Sequence, residues 1–218
     1  MRINKFVATA TGMSRRAADD VIRAGRVYIN KQKAELSLQV AEHDSVTLDN
    51  VFLSLPKQTS SIMLNKPAGF VCSRNGQGSK TIYDLLPTEF MSLKPVGRLD
   101  KDSSGLLLLT NDGELAQRLT HPSFEKIKQY EVTLDKPLQG KDVQSLAIGV
   151  QLSDGSSKLD VTALDEKHRQ WLVRMHEGRN RQIRRSFEAL GYSVQRLHRI
   201  SFGSYQLGNL KLGAWQSL

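Results

Sequence analysis

Arg98, Asp100 and Asp102 alternate in the stretch GRLDKDSSGLLLLTNDG (residues 97–113), just before four consecutive leucines, Leu106 to Leu109. An ionised carboxylate can act as a nucleophile or as a base, and a cation within about 4–6 Å favours that ionised form. The same stretch partly matches a calcium loop, with Asp100, Asp102, Ser104 and Gly105 at positions 1, 3, 5 and 6 of an EF-hand. Position 9 then falls on Leu108, and position 12 falls on Asn111 where a bidentate glutamate is needed, so the calcium reading fails.

A second candidate is EGRNRQIRRSFEALG (177–191). As a helix beginning near Asn180 it sets Arg181, Arg184, Arg185 and Glu188 on one face and Ile183, Phe187 and Leu190 on the other. Seven arginines between Arg174 and Arg199 stand against two glutamates, a composition suited to tracking phosphates. A further basic set, Arg2, Arg15, Arg16, Arg23 and Arg26, decorates the N-terminus and is partly offset by Asp19 and Asp20.

Other chemistries find no support. GQGSKT (76–81) lacks the glycine spacing and the Gly-Lys step of a phosphate-binding loop, and no GxSxG elbow is present for an activated serine. The five histidines, His43, His121, His168, His176 and His198, show no ligand spacing, and Cys72 is the single cysteine. No metal site and no internal disulfide are expected, and Cys72 reads as a small buried apolar residue in a reducing compartment.

The 218 residues carry a formal net charge of +9, with 31 Lys and Arg against 22 Asp and Glu. A field of that sign attracts phosphate polymers or acidic membrane surfaces. No apolar run approaches the roughly 20 residues of a membrane span, and no secretory signal or basic amphipathic helix is evident. Nucleic acid is the expected partner, in the cytoplasm.

The elements that must position these residues fall into two groups. In the first fifty residues Ile3, Phe6, Val7 and Ala10 share a helical face, Gly12 breaks it, and Ser14 can cap a second helix that turns Ala17, Ala18, Val21 and Ile22 inward. Residues 26–30 and 44–49 read as short strands. The expected division is a domain over 1–53, a linker over 54–61 and a larger domain over 62–218. In the larger one SIMLNKP and GLLLLTN are buried strands, KQYEVTL and QWLVRM alternate, and helices are expected near 114–120, 141–148 and 180–190. Strands dominate without regular strand–helix alternation, so the class is α+β on a mixed, mainly antiparallel sheet flanked by helices.

These motifs together resemble the ribosomal RNA pseudouridine synthases of the RsuA and RluB/RluF kind. GRLDKDSSGLLLLTNDG is similar to that family's signature. MLNKPAGFVCS (63–73), KQYEVTL (128–134), EGRNRQIRRSFEALG and LHRISFGSYQLGNLKLGAW (197–215) follow in the family's order. SRRAADDVIRAGRVYIN (14–30) resembles an S4-type RNA-binding module. Gln216 departs from the arginine often found at that position.

The resemblance implies isomerisation of a specific uridine in ribosomal RNA, the large subunit favoured over the small, without cofactor or metal. It makes Asp100 the essential carboxylate, acting either as a nucleophile or as a base at the 2′ position, with Arg184 as its cation and Tyr130 as the active-site tyrosine. Ile183 and Leu197 would line the base pocket, and Arg98 would fill the space left by a flipped base. Lys66, Pro67 and Gly69 would support the floor of the site. The partner implied is ribosomal RNA or an assembling ribosomal subunit, met by a monomer. A non-catalytic ribosome-assembly factor of the same fold would be expected to lose Asp100, Tyr130 or Arg184, and all three are present.

Overall fold

Two helices and four short strands make up the first of the two units into which the chain divides, Met1–Thr59 and Ser60–Leu218. The computed structural model describes residues 1–56, 58–121 and 126–218. Helix α1 (Ile3–Thr11) buries Ile3, Phe6, Val7 and Ala8 and stops at Gly12, whose φ of +77° costs a glycine no Cβ clash. Ser14 caps α2 (Arg15–Arg23) as expected, its Oγ accepting from the Ala17 N–H at 3.0 Å.

Strands β1 (Val27–Ile29), β2 (Gln32–Lys33), β3 (Val46–Leu48) and β4 (Val51–Phe52) form an antiparallel sheet in the order β2-β1-β3-β4. Two of these, β2 and β4, were not expected from the sequence. Each follows a two-residue turn in which both φ angles are positive, Asn30–Lys31 (50° and 67°) and Asp49–Asn50 (49° and 66°), the mirror-image geometry that suits hairpins.

The second unit holds strands β5 (Ser61–Lys66), β6 (Lys94–Pro95), β7 (Ser104–Thr110), β8 (Lys128–Leu134), β9 (Val150–Leu152), β10 (Gly155–Ser157), β11 (Asp160–Ala163), β12 (Gln170–Met175), β13 (Val194–Phe202), β14 (Tyr205–Gln206) and β15 (Trp215–Ser217). Helices α3 (Gly113–Thr120), α4 (Gly140–Ile148) and α5 (Gln182–Ala189) interrupt them. Ser61, expected in the linker, opens β5, and Lys57 of that linker lies outside the described residues.

The main sheet runs β11-β12-β8-β13-β7-β5-β15, with β14 on β13 and β6 on β7, while β9 and β10 pair separately. Among the described residues β13 and β7 are its one parallel pair, so the sheet is mixed and mainly antiparallel, as the sequence pattern indicates. Leu106 to Leu109 are at most 1% exposed. Alternate side chains leave a strand on opposite faces, and these leucines accordingly feed two cores. Leu107 and Leu109 pack in one with Ile62 and Leu64, and Leu106 and Leu108 pack in the other with Met63 and Phe202. At about 1.5–3 kcal/mol for each buried leucine, this strand gives the preceding turn a firmly held base.

The parallel contact is short, with His198 opposite Ser104 and Arg199 opposite Gly105. A Cβ at residue 105, where φ is +107°, would collide with the Arg199 backbone, so glycine is what lets β7 approach β13. Ser104 Oγ and His198 Nδ1 share a 2.8 Å hydrogen bond at the same junction.

Burial holds His198 below its ordinary 6.5, Arg196 adds to that shift, and Glu131 opposes it. The unfolded chain therefore takes up the proton first as the pH falls, and the stability present above pH 6.5 is lost below it. Urea midpoints measured between about pH 8 and 5 should show this loss. His198→Gln should flatten that part of the profile.

Candidate active site

The turn Leu99–Ser103, which leads into β7, has all five of its carbonyls occupied by donors from elsewhere in the chain. The Cys72 thiol donates to Leu99 O at 3.3 Å, and the Leu99 N–H returns a bond to Cys72 Sγ at 3.4 Å. Lys66 Nζ donates to Asp100 O at 3.0 Å and to Ser103 O at 2.7 Å, and its third proton goes to Pro67 O at 3.1 Å. The Gly69 N–H donates to Lys101 O at 2.6 Å, and Arg184 Nη2 donates to Asp102 O at 3.0 Å.

Lys66 ends β5 opposite Gly105 and is 0% exposed. Burial lowers its pKa, while the neighbouring Cys72 and the Asp100 and Asp102 carboxylates pull it back up. Three carbonyls for three ammonium protons are what make a buried cation tolerable there. Burial raises the Cys72 thiol, which keeps its proton available for Leu99. The sequence reading of Cys72 as a small buried apolar residue misses this contact, and the residue is only partly buried.

The turn projects the Asp100 carboxylate, 37% exposed, to the edge of a cleft of about 1060 Å³. Arg98, Tyr130, Arg181, Ile183 and Leu197 line the same cleft. Tyr130 lies on β8, Leu197 lies on β13 opposite Val132, and both are buried except towards the cleft. Ile183 comes from the first turn of α5, whose Phe187 anchors the helix in the core. Arg98 is exposed at the mouth.

The arginines divide differently from the expectation. Arg184 was expected as the cation of Asp100 and stays within electrostatic reach of it, but among the described residues the ion pair to Asp100 is made by Arg181, whose Nη1 is 3.7 Å from Asp100 Oδ2. Arg184 stands behind the turn, with Nε 3.3 Å from Asp102 Oδ2, Nη2 on Asp102 O and Nη1 on Val194 O at 2.8 Å. Asp102, read from sequence as a turn residue only, takes both arginines, Arg181 at 3.3 Å being the second. The cause is the start of α5 at Gln182 rather than near Asn180. Arg181 is left in the left-handed conformation (φ +47°), off the helical face it was expected to share.

A family model described as RNA pseudouridylate synthase matches residues 60–189, and one described as S4 domain matches residues 1–46. The chain belongs to the RNA pseudouridylate synthase family. It is 36% identical over 225 residues to an uncharacterized RNA pseudouridine synthase of Aquifex aeolicus (strain VF5), covering 100% of this chain and 90% of that relative. It is also 36% identical over 220 residues to ribosomal large subunit pseudouridine synthase B of Bacillus subtilis (strain 168), covering 97% and 89%. A solved structure described as a pseudouridylate synthase superposes with a TM-score of 0.73 at 32% identity, over 100% of this chain and 96% of that one. The pseudouridine synthase fold and the S4 module therefore stand as the motifs suggested.

Of the residues expected to meet RNA, Arg185 is paired with Asp154 through bonds of 3.1 and 2.7 Å. Successive residues of a helix with 3.6 per turn point about 100° apart, which sends Arg184 to the turn and Arg185 to the β9–β10 hairpin. In the N-terminal unit Arg23 pairs with Asp20 and Arg26 with Asp49, whereas Arg2, Arg15 and Arg16 have no carboxylate in ion-pair range among the described residues. Among the described residues no group of three or more His, Cys, Asp or Glu side chains could hold a metal ion, and no helix is long and apolar enough to cross a membrane.

Lys66→Met would leave the Asp100 and Ser103 carbonyls without this donor. Urea unfolding should register a loss of about 1–3 kcal/mol. Ultraviolet circular dichroism should show the folded state retained, because the two cores beside β7 do not depend on this contact.

Proposed function

We propose that this chain converts a specific uridine of ribosomal RNA, in the large subunit, to pseudouridine, with Asp100 as the essential carboxylate. The observation that carries the reading is the location of that carboxylate. It sits on a turn whose every carbonyl is restrained, at the edge of a cleft that also holds Tyr130, Ile183 and Leu197. The printed name of the Bacillus subtilis relative supports the large ribosomal subunit as the source of the RNA.

The N1–C1′ bond breaks, the uracil turns while held, and C5 joins C1′. The proton on C5 leaves and N1 gains one, so the reaction is balanced without an external oxidant, reductant or cofactor. Asp100 opens it by one of two routes, attack as a nucleophile or removal of the 2′ proton. Tyr130 offers a ring for the uracil to stack on and a hydroxyl to assist removal of the C5 proton. Ile183 and Leu197 supply apolar walls that keep the detached base from leaving.

A uridine in folded RNA must leave its stack to reach this cleft, at a cost of a few kcal/mol. Arg98, exposed at the mouth, fills the space it vacates. Arg181 orients Asp100, and Arg184 supports the turn through Asp102. Arg2, Arg15, Arg16, Arg23 and Arg26 of the S4 module, together with Arg181 and Arg185, follow the phosphates of ribosomal RNA or of an assembling subunit. The enzyme works as a cytoplasmic monomer without a metal.

Incubation with unmodified ribosomal RNA followed by pseudouridine mapping tests this directly. The native protein should modify a defined position, and Asp100→Asn should lower the rate by at least about 10⁴-fold while still binding the RNA. Absence of pseudouridine at every position, or full activity in Asp100→Asn, overturns the reading.

A further inference from the structure

Arg199 is 2% exposed and lines the cleft, yet its Nη2 has no hydrogen-bond partner among the described residues. Its Nε–H is committed, donating to Leu106 O at 2.7 Å, which fixes the guanidinium and leaves one edge unused. Through the sheet register Arg199 stands between Gly105 on β7 and Tyr130 on β8. None of the roles assigned above uses it.

A second cation is close by. Arg199 Cζ is 5.1 Å and Lys128 Nζ 5.4 Å from the centroid of the same ring, Phe202. Lys128 lines the cleft as well, and its Nζ donates to the carbonyls of His176 and Glu177 at 3.3 and 3.0 Å. Neither cation has a carboxylate in ion-pair range among the described residues, whereas Arg179, Arg181, Arg184 and Arg185 around them all do. Two cations packed on one ring repel each other, and a buried charge without a counter-ion is unfavourable until an anion completes it.

We infer that Arg199 and Lys128 form a subsite for one phosphate of the RNA backbone, next to the nucleotide that enters the cleft. A uracil oxygen would satisfy the free Nη2 but would leave the second cation uncompensated. A phosphate carries the charge and several acceptor oxygens that a fixed guanidinium edge and an ammonium can share. The Leu106 bond orients that edge before any RNA arrives. The identity of the polymer rests on the proposed function, but the anion preference does not.

Two measurements separate these parts. Inorganic phosphate, compared with chloride at matched ionic strength, should raise the melting temperature of the wild-type protein by about 2–4 °C. Arg199→Met and Lys128→Met should each lose that increment, and Arg199→Lys should keep part of it. The salt dependence of binding to unmodified ribosomal RNA should lose about 0.7–0.9 from its logarithmic slope in either methionine variant. An unchanged phosphate response in both variants overturns the subsite, whether or not the protein forms pseudouridine. A lost phosphate response with an unchanged RNA slope overturns its assignment to the RNA backbone. A lost response with a reduced slope, in a protein that forms no pseudouridine, upholds the subsite and contradicts only the function. If Arg199→Met fails to fold, Lys128→Met alone decides by the same criteria.

Discussion

A lysine ammonium with no exposure to water, giving each of its three protons to a backbone carbonyl, is the contact on which this active-site architecture depends. Two of those carbonyls belong to Asp100 and Ser103, at either end of the turn that carries the candidate catalytic carboxylate. A charge buried this deeply is stable only while its partners stay in position, so the lysine and the turn restrain each other. Cys72, Gly69 and Arg184 take the remaining carbonyls, bringing donors from the segment after β5 and from α5 onto a five-residue stretch. The side chain of Asp100 is left as the part of that residue free to do chemistry.

This arrangement works because the sheet beneath it does not yield. β5 and β7 are buried on both faces, and their alternate residues belong to separate cores, so the end of β7 cannot rotate without disturbing either one. Gly105 then allows β13 to close against the turn, bringing Leu197 and Arg199 towards the cleft. Catalytic geometry tolerates small errors only, and here rigidity comes from the scaffold rather than from substrate. The charges follow the same division: Asp102 collects two arginines behind and beside the turn, while Arg199 and Lys128 remain available for an incoming anion.

Much of this was legible in the sequence, and the remainder has definable causes. Four leucines after a polar turn specify a doubly buried strand, and the order of five motifs carries the family, because both are properties of local pattern. The partners of the arginines were not legible. Whether Arg181 lies on α5 or before it turns on one residue in a left-handed conformation, and no periodicity encodes that. The Asp102 pairs, the Asp154 clamp on Arg185 and the thiol contact of Cys72 all join residues far apart in the chain. The short strands β2 and β4 were hidden because hairpin turns of Asn-Lys and Asp-Asn type read as polar loop. Lys66 was legible as a support of the site, but its three acceptors were not.

The central claim is that the turn is fixed in the free protein, before RNA binds. Backbone ¹⁵N relaxation of Asp100, Lys101 and Asp102 without RNA measures this directly. The account predicts order parameters near 0.85, equal to those of β7. Values below about 0.6, rising only when RNA is added, would contradict it and make the substrate, rather than Lys66 and its fellow donors, the agent that positions Asp100.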